Sequence, residues 1–173
     1  NYLCILNSEG RFKKVLFDED MIKSTRLFSI AKLKNSTNVI DSFILNQEQK
    51  LIILTSIGRI FKFDLSNKYL KPSTKQSQGI LLVNLLPKEK IVSCCKSNDT
   101  DFLYLVSEKG KFFKLKINEI YDAHNSKLGY INEKIKLNND YFIKVLTSNH
   151  YIEFETNKNK SARVNLTKYT SNS

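Results

Sequence analysis

The stretch that decides the fold reads LIILTSIGRIFK, from Leu51 to Lys62. An apolar run rich in β-branched residues leads into Gly58, and a mixed basic and apolar run follows it. This pattern is typical of a β-hairpin. A tight hairpin turn requires a positive φ at its centre, and glycine adopts that conformation without steric cost. We therefore predict two antiparallel strands joined at Gly58.

The same pattern recurs three more times along the chain. It reads YLCILNSEGRFKK from Tyr2, FLYLVSEKGKFFK from Phe102 and YIEFETNKNKSAR from Tyr151. The predicted turn residues are Gly10, Gly58, Gly110 and Asn159, separated by 48, 52 and 49 residues. Asparagine in place of the last glycine fits the pattern, because asparagine tolerates left-handed backbone better than most residues.

A period near fifty residues is the size of one propeller blade. Further strands are predicted at 38–43, 90–95 and 141–146, and less clear ones at 26–33, 79–86 and 129–137. The sequence therefore predicts an all-β, propeller-like fold of four-stranded blades with little helix. We expect blades at 1–50, 51–101 and 102–150 and a partial blade at 151–173, about three and a half in all. Since the chain starts without Met and already in a strand, we expect a fragment of one such domain.

Apolar residues recur five and seven positions after each turn residue, where one face of a strand points into the core. These predicted core positions are Val15, Phe63, Leu115, Val164, Phe17, Leu65, Ile117 and Leu166.

Positive charge is the second strong feature of the sequence. The chain carries 28 Lys and Arg against 17 Asp and Glu, a net charge of +11. Such an excess favours a polyanionic partner, nucleic acid first and an anionic membrane surface second.

Basic residues also follow each turn residue at one and four positions. The predicted DNA-binding set contains these eight repeated cations and three loop cations: Arg11, Lys14, Arg59, Lys62, Lys111, Lys114, Lys160, Arg163, Arg26, Lys75 and Lys127. Equivalent positions on successive blades would form a regular belt that matches the phosphates of duplex DNA. No base-reading helix is apparent, so we expect little sequence preference. The alternative is that these cations only keep strand edges from pairing with other chains.

The sequence offers no catalytic, metal-binding or cofactor-binding constellation. Its three cysteines lack zinc-site spacing, and we expect them to be reduced thiols of a cytoplasmic protein. Both histidines, His124 and His150, are predicted to be surface residues. Neither a nucleotide-binding nor a hydrolase motif occurs. There is no apolar stretch of eighteen residues, so no membrane partner is expected.

Two segments carry a family resemblance. LIILTSIGRIFKF at 51–63, followed by QGILLVNLLPKEKIV at 78–92, resembles a blade of the C-terminal DNA-wrapping domain of gyrase A and of its topoisomerase IV counterpart. The resemblance implies a β-pinwheel, a disc of blades that exchange strands with their neighbours. It also implies binding and bending of duplex DNA for a type IIA topoisomerase that controls supercoiling. Its partners would be the remaining part of the gyrase A chain and the ATPase chain, gyrase B, and cleavage and ATP hydrolysis would lie outside this nucleoid-associated domain.

One departure from the gyrase pattern leaves the choice within the family open. The gyrase box, QRRGGKG, is absent from this chain, and the nearest polar basic loop covers 71–79. Either the box-bearing blade lies upstream or the chain is similar to topoisomerase IV, which lacks the box. A protein-interaction propeller with a solubilising basic surface is the alternative function, although the usual signatures of such propellers are missing.

Overall fold

A computed structural model of the chain describes residues 1–25, 29–45, 49–66, 68–98, 102–125, 128–133, 135, 137–148 and 151–166. Its strands are β1 (Tyr2–Asn7), β2 (Arg11–Leu16), β3 (Val39–Leu45), β4 (Lys50–Thr55), β5 (Ile60–Asp64), β6 (Ile80–Leu81), β7 (Ile91–Ser97), β8 (Phe102–Ser107), β9 (Phe112–Lys116), β10 (Phe142–Thr147), β11 (Tyr151–Glu155) and β12 (Ser161–Asn165). The helical elements are the short helix α1 (Glu19–Lys23) and two 3-10 turns at Ile117–Glu119 and Ala123–Asn125. The all-β class predicted from the sequence is confirmed.

Each repeat opens with a hairpin: β1–β2, β4–β5, β8–β9 and β11–β12. The four predicted turn residues have positive φ, at 80° for Gly10, 87° for Gly58, 78° for Gly110 and 55° for Asn159. In each turn a side-chain oxygen also accepts the amide proton of the cation that follows. Thr55 Oγ1 accepts from Arg59 at 3.1 Å, and the same bond recurs in the other three hairpins.

The third strand of each complete repeat pairs with the first strand of its own hairpin, β3 with β1, β7 with β4 and β10 with β8. The fourth strand leaves its repeat. The pair Ile80–Leu81 (β6) adds to β2 of the preceding repeat, and Tyr130 forms the corresponding bridge with Ile60 of β5. The first sheet therefore contains strands from two of the blades predicted by the repeat, and the second sheet receives a single bridge from the next blade. The blade limits themselves stay a prediction.

The strand β4 lies at the centre of the hydrophobic core. Leu51 and Ile53 pack in a cluster with the first sheet, while Ile52 and Leu54 pack in a second cluster with the third sheet. All four side chains are fully buried, and burial of such a side chain is worth about 1.5–3 kcal/mol. A strand covered on both faces needs a continuous apolar run, which explains the composition of this segment.

The predicted core positions lie inside the fold. Six are buried, and Phe17 and Val164 are half-buried. The last hairpin differs from the others, because Glu153 and Glu155 on β11 are exposed.

Candidate nucleic-acid interface

The cations that follow the first two hairpin turns make contacts inside the fold. Arg59 is 3% exposed, and its guanidinium Nε donates to Glu89 Oε1 at 2.8 Å while Nη2 contacts the other oxygen of the same carboxylate. The remaining donors reach main-chain carbonyls, from Nη2 to Asn84 at 2.9 Å and from Nη1 to Leu128 at 3.1 Å. Arginine suits this site because its planar guanidinium satisfies several acceptors at once.

Glu89 is the buried counterion of this arginine. Burial by itself would raise the pKa of the Glu89 carboxyl, but hydrogen bonds from the guanidinium of Arg59 and the amide of Leu86 hold it below its usual value. Removing one partner of such a buried pair costs about 3–5 kcal/mol, because the other charge stays uncompensated. The pair is therefore part of the packing of the fold rather than of its surface.

The lysines four positions after the turns are also covered. Lys14, 3% exposed, donates from Nζ to the carbonyl of Leu65 at 2.7 Å, and its ammonium lies 4.5 Å from the ring centroid of Tyr2. Lys62, 6% exposed, reaches the carbonyl of Ile117 at 3.5 Å and the carboxylate of Asp122 at 3.7 Å. Both lysines therefore contact the segment that follows the next hairpin.

These contacts repeat at two places, which we call seams. In the first seam β2 meets Leu65 and residues 73–82: Arg11 donates to the carbonyl of Gly79 at 3.2 Å, and Lys13 donates to the carbonyls of Ser77, at 2.8 Å, and Lys75. In the second seam β5 meets residues 117–125 and 128–130 through Arg59, the bridge from Ile60 to Tyr130, and Lys62. The same positions of two hairpins thus bind the connecting segment of the following repeat.

Phosphate contact by the belt of eight equivalent cations stays a prediction, and the structure shows four of the eight covered by the next repeat. Lys14, Arg59 and Lys62 are buried, and Arg11 is half-buried against residue 79, because the fourth strand of the next repeat covers this edge of the hairpin. A buried, hydrogen-bonded cation cannot reach a phosphate without leaving its seam.

The equivalent cations of the last two hairpins are more accessible. Lys111 and Lys160 are exposed, and Lys114 is half-buried with its ammonium 4.0 Å from the ring of Phe102. Arg163 is exposed and paired with Glu153 across the hairpin. Of the predicted loop cations, Lys75 is exposed, whereas Arg26 and Lys127 lie outside the described residues.

A group of exposed lysines lies on the connecting segment of the second repeat, and the repeat register did not single out most of them. These connecting lysines are Lys68, Lys71, Lys75, Lys88 and Lys90. The one acid between them is Glu89, which is buried against Arg59. The composition of this part of the sequence indicates a basic segment, because residues 66–98 contain six lysines and a single carboxylate.

His124 was predicted to be a surface residue, and the structure contradicts this. Its imidazole is half-buried, stacked on Tyr69 with centroids 4.2 Å apart and edge-on to Phe63 at 5.5 Å. Its Nε2 accepts a hydrogen bond from the amide of Asp64 at 2.9 Å, which adds a contact to the second seam. Burial lowers the pKa of His124, opposed by the carboxylates of Asp122 and Asp64. His150 lies outside the described residues.

Other kinds of site are not evident in the described part of the chain. There, no three His, Cys, Asp or Glu side chains are grouped so that they could hold a metal ion. A cleft of about 660 Å³ lies between the second and third sheets. Its lining is partly apolar and partly polar, and it includes the connecting lysines Lys88 and Lys90 and the carboxylate of Asp140. No described helix has both the length and the apolar character needed to cross a bilayer.

Comparison with known proteins points to one family. The sequence model described as "DNA gyrase C-terminal domain, beta-propeller" matches residues 49–94 and 101–124. Gyrase A of Borreliella burgdorferi is 25% identical over 168 residues, which cover 93% of this chain and 19% of that protein. Gyrase A of Borrelia hermsii is 22% identical over 130 residues, 75% of this chain and 16% of that protein. The chain thus spans less than a fifth of the length of these relatives.

Solved structures extend the likeness over nearly the whole chain. The C-terminal domain of DNA topoisomerase IV superposes with a TM-score of 0.79 at 19% identity, covering 96% of this chain and 52% of that one. The C-terminal domain of E. coli ParC gives a TM-score of 0.71 at 15% identity, with 98% and 72% covered. The β-pinwheel fold and the resemblance to the C-terminal domains of gyrase A and topoisomerase IV, both predicted from the sequence, are confirmed.

Proposed function

We propose, from its likeness to the gyrase A and topoisomerase IV C-terminal domains, that this chain binds and bends duplex DNA without sequence preference. It would act as the C-terminal module of the gyrase A-like chain of a type IIA topoisomerase and support the control of supercoiling. Strand cleavage would be carried out by the rest of that chain, and ATP hydrolysis by a gyrase B-like partner. The module would work on nucleoid DNA in the cytoplasm and would need no cofactor of its own.

The connecting lysines are the observation that carries this proposal. All five are exposed, and the one carboxylate among them is already neutralised inside the fold by Arg59. Duplex DNA presents about one phosphate charge per ~1.7 Å of axis. A segment with exposed lysines and no exposed acid of its own attracts such a polyanion whatever its base sequence, since phosphates carry no base identity.

The exposed turn cations of the later hairpins extend the proposed surface. Lys109 and Lys111 flank the turn at Gly110, and Lys158 and Lys160 flank the turn at Asn159. The proposed DNA-binding set therefore keeps Lys75, Lys111 and Lys160 from the sequence prediction, and the connecting lysines take the place of the cations in the seams.

A salt titration tests the proposal. Each phosphate contact contributes a slope of about −0.9 in log K against log salt, so five contacts give about −4.5. The double variant Lys71→Gln with Lys75→Gln should bind every duplex more weakly and reduce the slope by about 1.8. The measurement is fluorescence anisotropy of a labelled duplex between 50 and 200 mM salt. Over this range the ratio of the wild-type to the variant binding constant should change by about tenfold.

Lys23→Gln is the matched control. Lys23 is also exposed but lies on α1, paired with Glu19 at 2.7 Å, and its loss should change the slope little. If the double variant binds DNA with the slope of the wild type, the connecting lysines do not contact phosphates. If the wild type binds no duplex at low salt, the protein-interaction alternative replaces DNA binding.

A further inference from the structure

We propose that the seam cations, Arg11, Lys13, Lys14, Arg59 and Lys62, set the angle between successive sheets and so determine which curvature of DNA the surface prefers. This inference rests on the proposed DNA binding and assigns the repeated cations a positioning role instead of a phosphate-binding one.

The first argument is that the two seams use the same donors and the same kind of acceptor. One position after the turn, Arg11 and Arg59 bind main-chain carbonyls of the next repeat at Gly79 and Leu128. Four positions after the turn, Lys14 and Lys62 reach the carbonyls at Leu65 and Ile117. Main-chain carbonyls are fixed by the fold, so a cation bound to them holds one backbone against another.

The second argument is the position of the seams between neighbouring sheets. In the first seam Lys13 binds the carbonyls of Lys75 and Ser77, while the amide of Ser73 donates to the carbonyl of Lys14 at 2.8 Å. The segment that carries Lys71 and Lys75 is therefore fastened to the preceding hairpin. Any change in this attachment moves the exposed lysines of one repeat relative to those of its neighbour.

The third argument is burial. A lysine or arginine that binds phosphates would be exposed to water and hydrated in the free protein. Arg59 instead has its charge balanced by Glu89 and its donors used by Asn84 and Leu128. Such a cation contributes a fixed geometry to the free protein, and the geometry exists before any DNA binds.

Two kinds of cation therefore predict two separable effects. Exposed lysines determine how many phosphates are neutralised, which the salt slope reports. Seam cations determine whether the lysine-bearing segments are held in one arc. A rigid arc favours DNA that is already bent, because the protein then need not supply the bending energy.

The experiment compares a 100-base-pair minicircle with a linear duplex of the same sequence, using the full chain. The double variant Arg59→Met with Glu89→Met removes the ion pair without leaving either charge buried alone. Lys62→Met is the second, milder variant of the same seam. Lys23→Met is the control, since Lys23 is exposed on α1, pairs with Glu19 and lies outside both the seams and the proposed DNA-binding surface.

Backbone amide hydrogen exchange gives a readout that needs no DNA. The amide of Tyr130 donates to the carbonyl of Ile60 at 2.7 Å across the second seam, whereas Ile53 lies inside a sheet. Loss of charged hydrogen bonds should speed exchange at Tyr130 by about tenfold or more and leave Ile53 unchanged. Lys23→Met should change neither amide.

We expect the wild type to prefer the minicircle by at least about fivefold. In both seam variants the ratio of minicircle affinity to linear-duplex affinity should fall towards one, while the salt slope is retained. A folded seam variant with faster Tyr130 exchange and an unchanged minicircle preference overturns the inference but leaves DNA binding intact. A salt slope that becomes shallower also overturns it, because Arg59 or Lys62 would then be a phosphate contact. Absence of duplex binding by the wild type overturns the proposed function instead, and the curvature preference with it.

Discussion

Gly10 and Gly110 form a natural pair for measuring what the first seam contributes to stability. Their φ angles are 80° and 78°, and both follow the same kind of hairpin turn. A Cβ built on Gly10 would lie 2.3 Å from the carbonyl oxygen of Val83, a backbone atom of the next repeat, whereas a Cβ on Gly110 meets nothing within 4 Å. Gly10→Ala and Gly110→Ala therefore introduce the same backbone strain, but only Gly10→Ala also introduces a clash with the next repeat.

The expected magnitudes follow from these distances. Positive φ costs an alanine about 1–2 kcal/mol, and Gly110→Ala should lose that amount of unfolding free energy. Gly10→Ala should lose about 1–3 kcal/mol more, because Val83 cannot move without shifting β6. In a domain of this size 1 kcal/mol corresponds to about 2–4 °C in Tm, so the two variants should differ by roughly 2–12 °C.

Thermal and urea unfolding, followed by circular dichroism, measure this difference. Asn159→Gly is the control at a turn already occupied by a non-glycine residue with φ of 55°, and it should be neutral or slightly stabilising. Equal losses for Gly10→Ala and Gly110→Ala would refute the close approach of the next repeat to the first turn.

Three further predictions concern single side chains. Burial lowers the pKa of His124 below 6.5, so its folded state favours the neutral imidazole that accepts from Asp64. The contribution of His124 to the free energy of unfolding should be complete above about pH 6.5 and should decline as pH falls through the lowered pKa. In urea unfolding from pH 8 to 5, the free energy of unfolding should therefore decline less in His124→Gln than in the wild type. Burial raises the pKa of Cys4 to about 11, so a thiol reagent at pH 8 should label it far more slowly than the half-buried Cys95, a difference that unfolding abolishes. Gly58→Val should lower Tm, because a β-branched residue is strained at φ of 87° and an unchanged Tm would contradict that turn geometry.

The local part of the fold could be read from the sequence because its causes are local. A glycine or asparagine between two short apolar runs predicts a hairpin without information from the rest of the chain. The turns at Gly58 and Asn159 both have the required positive φ. The continuous apolar run of β4 likewise indicates a strand covered on both faces. The resemblance at 51–63 and 78–92 lies within the part of the chain that the family model matches.

The function of the repeated cations could not be read in the same way. The sequence shows that Arg59 recurs in register with Arg11, but a phosphate contact and a seam contact produce the same periodicity. The sequence also does not show that Tyr130, seventy residues beyond Ile60, covers the edge of β5. His124 was misread for a similar reason, since its partners Tyr69 and Asp64 belong to the preceding repeat.

Strand exchange between repeats has a consequence for synthesis of the chain. The edge of β2 is complete when residue 16 has been made, but β6 begins 64 residues later, at Ile80. At about 5–20 residues per second on the ribosome, that edge waits roughly 3–13 s for its partner. An unpaired edge is prone to join another nascent chain, and lysines on it oppose such pairing. We therefore expect Lys13 and Lys14 to protect the nascent hairpin by their charge before the arriving segment buries them.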